Sequence, residues 1–276
     1  MRGLSRPAAA TVAGVLTVLA ATGITLGVRS NGSSGANTTA GTIAICERLA
    51  VPAYFSSPYW ETAIHSADPP ADIILDVDGT GAGNSPDKQL QGLVRQALAA
   101  GITVLGYSST VDGERPAAQV EADVEHYAAW YGVHSIFLDR VSGQPAQVAY
   151  YKTLAAYIHH ARKGAQVWLN PGDYPDQQYM AIGDVVMVFE GSYAQYLTAA
   201  VPSWVQSYPA AKFAHTIFAT PGNALNDALA LAKQRRAGHI YVTDLVDANG
   251  ANPYQGLPNY WAAEDAEATA GCGASG

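Results

Sequence analysis

Short apolar runs alternate with amphipathic segments along most of the chain. Five of these runs follow a glycine, are rich in β-branched and aromatic residues, and close on a polar residue. They are "GITVLGY", "GVHSIFLD", "GAQVWLN", "GDVVMVFE" and "GHIYVTD". Glycine after a helix adopts the left-handed cap conformation at no steric cost, and a short apolar run is typical of a strand that is buried on both faces. The pattern predicts a repeated unit of helix, glycine, strand and polar end.

The segments between these runs have helical periodicity. In "PAAQVEADVEHYAAWYG", for example, Val120, Val124, Tyr127 and Tyr131 fall on one stripe. Three more apolar runs alternate with helices in the same way and bring the number of strands to eight; they are "RLAVPAYF", "ADIILDVDG" and "KFAHTIFAT". Eight successive βα units predict an α/β fold, a single-domain (β/α)8 barrel of the TIM type.

The N-terminus differs from the rest of the chain. Arg2 and Arg6 precede the uncharged run 7–28, which indicates an export signal, either a cleaved signal peptide or a retained membrane anchor. In both cases the domain would lie outside the cytoplasm, secreted or anchored to the outer face of the membrane. The expected organisation is a signal or anchor in 1–29, a flexible polar linker in 30–42, the barrel in 43–265 and a C-terminal tail in 266–276.

The two cysteines fit an oxidising compartment. Cys46 precedes the first strand and Cys272 lies in the C-terminal tail. Because the chain ends of a closed barrel are neighbours, the two residues could form one disulfide; two unpaired thiols are the alternative. Their spacing matches no metal motif, and we expect neither a metal nor a cofactor.

Charge limits the choice of partners. The net charge is −8, with 15 Lys and Arg and no basic run, which argues against nucleic acid because phosphate binding needs a cationic surface. Neutral or cationic ligands fit better, and we expect a monomer.

Two other kinds of chemistry find no support in the sequence. Serine hydrolase chemistry is disfavoured because no G-x-S-x-G elbow occurs, and "GTGAG" (79–83) lacks the spacing of a dinucleotide loop.

Polar residues close most of the predicted strands, and the active site of such a barrel lies at these carboxyl ends. The residues are Tyr54, Asp76 with Asp78, Tyr107, Asp139, Asn170, Glu190, Thr216 or Thr220 after His215, and Asp244. Carboxylates dominate, and a carboxylate pair without a metal or cofactor motif suggests glycosidic bond cleavage. Asp139 and Glu190 are the candidate pair. The alternative is that each merely begins a loop or caps a helix.

Other strand-end residues are candidates for substrate binding. Tyr54, Tyr107 and Tyr193 could stack on sugar faces, with core packing as the alternative. Asn170 could hydrogen-bond a sugar hydroxyl or a catalytic carboxylate, or cap the next helix. For the remaining candidates, ligand contact and a structural role are both open; they are Asp76, His215 and Asp244.

Several sequence blocks resemble those of the spherulation-specific family 4 proteins, which include glycoside hydrolase family 135. The blocks are "VPAYFSSPYW", "VLGYSSTVDGERP", "VEADVEHYAAWYGVHSIFLDRVS", "LNPG", "DVVMVFEGSY", "HT", "YVTD" and "PYQGLPNYW". The resemblance implies a (β/α)8 glycoside hydrolase that cleaves galactosamine-containing polysaccharide internally, without metal or nucleotide. It also implies that Asp139 and Glu190 are the two essential acidic residues.

The chain departs from this family pattern at two places. The family's strand usually ends in an Asp-Glu pair, whereas this chain has Asp139-Arg140, and "ILDVDGTGAG" replaces an Asn-Pro-Asn-like turn. Our hypothesis makes Asp139 the nucleophile or stabiliser and Glu190 the general acid/base, although the reverse fits the sequence equally. Arg140 could pair with a helix carboxylate, or reach over the rim and lower the pKa of a site carboxylate. It also favours the alternative of a non-catalytic carbohydrate-binding barrel.

Overall fold

A computed structural model describes residues 45–248 and 250–269. Eight parallel strands form a closed barrel in which each strand pairs with its neighbours in the sequence and the first pairs with the last. The strands are β1 (Arg48–Pro52), β2 (Asp72–Leu75), β3 (Thr103–Ser109), β4 (Ser135–Asp139), β5 (Val167–Leu169), β6 (Val185–Ser192), β7 (Phe213–Phe218) and β8 (His239–Val242). The predicted (β/α)8 fold is therefore confirmed.

Helices surround the barrel and bury their apolar stripes against it. The seven α-helices of the described residues are α1 (Ser57–Ile64), α2 (Lys88–Ala99), α3 (Ala117–His126), α4 (Val148–Ala161), α5 (Tyr193–Thr198), α6 (Leu225–Gln234) and α7 (Trp261–Thr269). The stripe predicted from Val120 to Tyr131 is real, since all four of its members are buried in the outer core. A left-handed glycine, Gly132 (φ +69°), then leads toward β4, as the sequence pattern predicts.

The hydrophobic core has two layers. The larger one lies between the strands and the helices, and the smaller one fills the barrel interior with the inward-facing residues Ala50, Ile74, Leu105, Tyr107, Phe137, Trp168, Val185, Met187 and Ala214. Because side chains alternate along a strand, a residue two positions beyond an inward-facing one also faces inward. Asp139 follows Phe137 in this way, and Asn170 follows Trp168.

Strand β6 breaks this alternation before Glu190. Met187 faces the interior, so strict alternation would direct Phe189 inward and Glu190 outward. The pairing of β6 with β7 skips one residue between Met187 and Phe189, and both Val188 and Phe189 pack in the outer core. This bulge turns Glu190 toward the interior, in register with Thr216. The bulge therefore places the second candidate carboxylate at the barrel mouth, the carboxyl-terminal end of the strands.

Close packing behind β3 fixes its end. A Cβ atom at Gly106 would lie 2.5 Å from the Tyr127 ring of the neighbouring helical segment, so the position requires glycine. The Tyr127 hydroxyl lies 2.7 Å from the carbonyl oxygen of Tyr107 and 3.0 Å from that of Gly81. This contact ties the loop that follows β2 to the strand that carries Tyr107.

The predicted signal or anchor (1–29), the linker (30–42) and Cys272 lie outside the described residues, so these predictions and the disulfide stay predictions. The described residues belong to one compact unit that begins at Ile43. Within them, no helix combines the length and the apolar character needed to cross a membrane.

Candidate active site

Asn170 joins the two candidate carboxylates at the barrel mouth. Its Nδ2 atom donates one hydrogen bond to Asp139 Oδ1 (2.7 Å) and one to Glu190 Oε2 (2.6 Å). The Asn170 side chain is buried, and its own Oδ1 accepts from the backbone N–H of Gly172 (3.0 Å). That contact sets the orientation of the amide, so the amino group faces both acids.

Two tyrosines complete the hydrogen bonding of the pair. The Tyr107 hydroxyl donates to Asp139 Oδ2 (2.8 Å), and the Tyr254 hydroxyl donates to Glu190 Oε1 (2.7 Å). Tyr54 lies between them in edge-on ring contacts, with its ring centroid 5.7 Å from the centroids of both Tyr107 and Tyr254. Each carboxylate oxygen of the pair thus has a protein donor, and an aromatic wall flanks the two acids.

Adjacent parallel strands supply most of these groups. Ser109 at the end of β3 is in register with Asp139 at the end of β4, and the N–H of Asn170 donates to the carbonyl of Leu138 (2.9 Å). The N–H of Glu190 donates to the carbonyl of Gly172 (2.9 Å), which links β6 to the loop after β5. The acidic pair is held by backbone hydrogen bonds between neighbouring strands and their loops.

Burial raises the pKa of both acids, but other influences differ between them. For Glu190, the negative charge of Asp139 raises the pKa further, and donation from Asn170 and Tyr254 opposes the rise. For Asp139, burial is opposed by donation from Tyr107 and Asn170 and by the Arg140 charge. The pair is therefore asymmetric: Glu190 is the acid that better retains a proton, and Asp139 the one that better remains charged.

The tyrosines are held in their protonated form. Burial, followed by the charges of Asp139 and Glu190, raises the pKa of Tyr54 well above its usual range. Burial and the same kind of negative charge raise the pKa of Tyr107 and of Tyr254. All three phenols consequently keep their hydrogen near neutral pH, and those of Tyr107 and Tyr254 donate it to the acidic pair.

The acidic pair opens into a pocket of about 300 Å³, lined by Tyr54, Tyr107, Asp112, Asp139, Arg140, Val141, Asn170, Pro171, Gly172 and Glu190. A second pocket of about 540 Å³ shares Tyr54 with it and lies on the β1–β2 side, with Asp76, Asp78 and Phe55 among its lining. Burial raises the pKa of Asp76, and donation from the backbone of Gly79 opposes the rise. Asp76 thus lines the neighbouring pocket, and the charges of Asp78 and Asp139 add to the rise of its pKa.

Arg140 lies on the rim of the pocket. Its Nη2 atom donates to Asp112 Oδ2 at 2.8 Å, and both side chains are more than half exposed. The partner is a carboxylate on the short turn Val111–Gly113 rather than one on a surrounding α-helix. The Arg140 charge does lower the pKa of Asp139, but this influence is smaller than the effect of burial.

Three predicted site residues lie elsewhere. His215 follows the inward-facing Ala214 and therefore points outward; its Nδ1 lies 2.7 Å from the Tyr196 hydroxyl of α5. Asp244 accepts from the backbone and side chain of Asn259 (3.1 and 2.6 Å) and anchors a loop. Tyr193 packs at the edge of the outer core. The prediction that His215 contacts the ligand is corrected, because strand alternation places its side chain on the helix side of the barrel.

Tyr254 is a site residue that we did not predict. It lies in the long loop between β8 and α7, within the block "PYQGLPNYW", and its position in that loop has no periodicity to mark it. The resemblance of this block to the family was the sequence signal that could have identified Tyr254.

Among the described residues, no cluster of His, Cys, Asp or Glu is arranged to hold a metal ion.

Comparison with known proteins agrees with this architecture. The model of spherulation-specific family 4 matches residues 49–266. Spherulin-4 of Physarum polycephalum is 29% identical in an alignment of 230 residues that covers 79% of this chain and 68% of that protein. The crystal structure of Aspergillus clavatus Sph3 in complex with GalNAc has a TM-score of 0.69 at 24% identity and covers 82% of this chain and 99% of its own. A chitinase from Rhizomucor miehei has a TM-score of 0.50 at 12% identity, over 75% of this chain and 96% of its own.

Proposed function

The chain belongs to spherulation-specific family 4, and from this premise we propose that it is a glycoside hydrolase that cleaves galactosamine- or N-acetylgalactosamine-containing polysaccharide. The observation that carries the proposal is the pair Asp139 and Glu190, bridged by Asn170 at the mouth of the barrel. We name this sugar because of the family to which the chain belongs and because the structurally similar Sph3 was crystallised in complex with GalNAc.

The asymmetry of the pair supports the following roles. Glu190, whose pKa is raised by burial and by the charge of Asp139, donates a proton to the leaving glycosidic oxygen. Asp139, for which hydrogen bonds from Tyr107 and Asn170 oppose the rise in pKa that burial causes, attacks or stabilises the positive charge that develops at the anomeric carbon. After the first product leaves, Glu190 accepts a proton from the water that completes hydrolysis.

The spacing of the pair supports retention of configuration. One nitrogen atom of Asn170 contacts both Asp139 Oδ1 and Glu190 Oε2, so these two oxygens are no further apart than two hydrogen bonds placed end to end. An inverting enzyme needs about 6.5–9.5 Å between the carboxyl groups to hold a water molecule. The shorter spacing favours direct attack by Asp139.

The neighbouring pocket and the N-terminal sequence complete the proposal. The space on the β1–β2 side, which shares Tyr54 with the catalytic pocket, gives room for further sugar units and supports internal cleavage. The uncharged run 7–28 behind Arg2 and Arg6 supports a location outside the cytoplasm, secreted or anchored to the membrane.

The test is the release of reducing ends from galactosamine-containing polysaccharide by residues 41–276. Release supports a hydrolase. A non-catalytic carbohydrate-binding barrel is the second candidate, favoured by Arg140 in the position where the family usually has an acid. Binding of the polysaccharide without release of reducing ends would support that candidate instead.

A further inference from the structure

The rim of the catalytic pocket contains strained backbone. Val111 (φ +50°), Asp112 (φ +58°) and Arg140 (φ +50°) have left-handed conformations although none of them is glycine. Residues with a Cβ rarely adopt this conformation, and for a β-branched residue it is an outlier. Asp112 and Arg140 both line the pocket that contains the acidic pair. Strain that persists at the edge of a pocket is a reason to look for a function there.

Hydrogen bonds hold the strained segments in place. The Thr110 Oγ1 atom lies 2.9 Å from the carbonyl oxygen of Asp139 and 2.8 Å from that of Arg140, and the N–H of Asp112 donates to the same Arg140 carbonyl (2.8 Å). In a regular strand Arg140 would point to the face opposite Asp139. The left-handed turn changes this direction, so that both residues line one pocket.

Stability does not explain the arrangement. The Arg140 and Asp112 side chains are 53% and 57% exposed, and an ion pair this exposed contributes little to the free energy of folding. Glycine would fit both left-handed positions without strain. The side chains must therefore supply something that glycine could not.

The pair offers a donor and an acceptor side by side. Only one Arg140–Asp112 hydrogen bond forms, through Nη2 and Oδ2, which leaves other guanidinium N–H groups and the second carboxylate oxygen for a ligand. Since the two charges offset each other, the pair suits adjacent hydroxyl groups of an uncharged sugar better than a charged one. We propose that Arg140 and Asp112 form a sugar-binding subsite for a neutral hexose or N-acetylhexosamine unit next to Asp139. This rests on the proposed function, because it takes the pocket to be a glycan site.

Replacement by glycine separates ligand binding from stability. We would measure the affinity for an N-acetylgalactosamine oligosaccharide by calorimetry in the Glu190→Gln protein, with and without Arg140→Gly or Asp112→Gly. Glycine relieves the left-handed strain but gives the unfolded chain more conformational freedom, and because these effects oppose each other the melting temperature should change little. The affinity should fall about ten- to one-hundred-fold, as expected for lost hydrogen bonds to charged groups. The matched control is Arg236→Gly, which changes another left-handed arginine (φ +64°).

Arg236 precedes β8 and lies at the opposite end of the barrel from the pocket, so Arg236→Gly should leave the affinity unchanged. Unchanged affinity in both rim variants would overturn the proposal, and so would a failure of the Glu190→Gln protein to bind the oligosaccharide. A failed hydrolase assignment would look different: the unmutated protein would bind the oligosaccharide without cleaving it, and the rim variants would still bind more weakly.

Discussion

The Tyr254 hydroxyl donates a 2.7 Å hydrogen bond to Glu190 Oε1 across 64 positions of the chain. Tyr254 comes from the loop after the last strand, and its ring is buried. The contact opposes the rise that burial imposes on the pKa of Glu190. The loop after β8 therefore takes part in setting the acidity of the proposed proton donor.

Removal of this hydroxyl should move the alkaline limb of the pH profile. In Tyr254→Phe the pKa of Glu190 rises, so that Glu190 stays protonated, and the enzyme active, to higher pH. We also expect kcat to fall roughly ten-fold because the Tyr254 hydroxyl no longer stabilises the negative charge that Glu190 acquires as it donates its proton. The measurement is kcat against pH, with Tyr157→Phe on α4, whose hydroxyl contacts Glu125, as control. An alkaline limb that stays in place or moves to lower pH would contradict the assignment of Glu190.

The stereochemistry of the product tests the spacing of the acids. Because Asn170 Nδ2 contacts both carboxylates, the two contacted oxygens lie closer together than the separation typical of inverting enzymes, and we expect a retaining reaction. Proton NMR of the first product should show the anomer of the substrate. An inverted anomer as the first product would mean that the acids act at a larger separation than the one observed.

Gly106 should resist substitution because of its packing. A Cβ at this position would lie 2.5 Å from the Tyr127 ring, and overpacking of a core costs about 1–3 kcal/mol. Gly106→Ala should therefore lower the melting temperature. Gly92→Ala is the control: Gly92 lies within α2 with open space around it, and alanine there should stabilise the helix by about 0.5–1 kcal/mol. Equal effects of the two substitutions would contradict the packing argument.

His215 should make stability depend on pH. Burial, followed by the Arg235 charge, lowers the pKa of His215 from 6.5 to about 3. In the unfolded chain His215 binds a proton below about pH 6.5, whereas in the folded protein it does so only near pH 3. The stability that neutral His215 provides is therefore complete above pH 6.5 and is lost as the pH falls from 6.5 toward 3. The loss is about 1.4 kcal/mol for each pH unit in this window.

The neutral variant His215→Gln removes this titration. Its melting temperature should fall less steeply than that of the unmutated protein between pH 6.5 and 3.5, measured by thermal unfolding in the same buffers. Parallel curves for the two proteins would show that His215 is not protonated on unfolding, contrary to its buried position.

Simple alternation explains why much of the site was predictable. Asp139 and Asn170 each lie two positions beyond an inward-facing aromatic residue, Phe137 or Trp168, so the period of a strand places both at the mouth. Glu190 reaches the same place only through the bulge before Phe189. No sequence pattern marks that bulge, and for Glu190 the resemblance to the family was the stronger guide.

The places where the structure differs from the sequence prediction have equally local causes. His215 follows the inward-facing Ala214, so it points to α5, and its polar character within an apolar run reflects its contact with Tyr196. Tyr254 was missed because a loop has no period from which the direction of a side chain could be read. The left-handed conformation of Arg140 was equally invisible, since arginine rarely adopts it.

The most direct test of the account is the rate of reducing-end release from N-acetylgalactosamine-containing polysaccharide by residues 41–276 and three variants. Asp139→Asn and Glu190→Gln should each lower kcat by about a thousand-fold or more. Asp244→Asn, which changes a carboxylate that contacts Asn259 instead of the acidic pair, should remain active. Full activity in either of the first two variants would contradict the claim that Asp139 and Glu190 catalyse the reaction together.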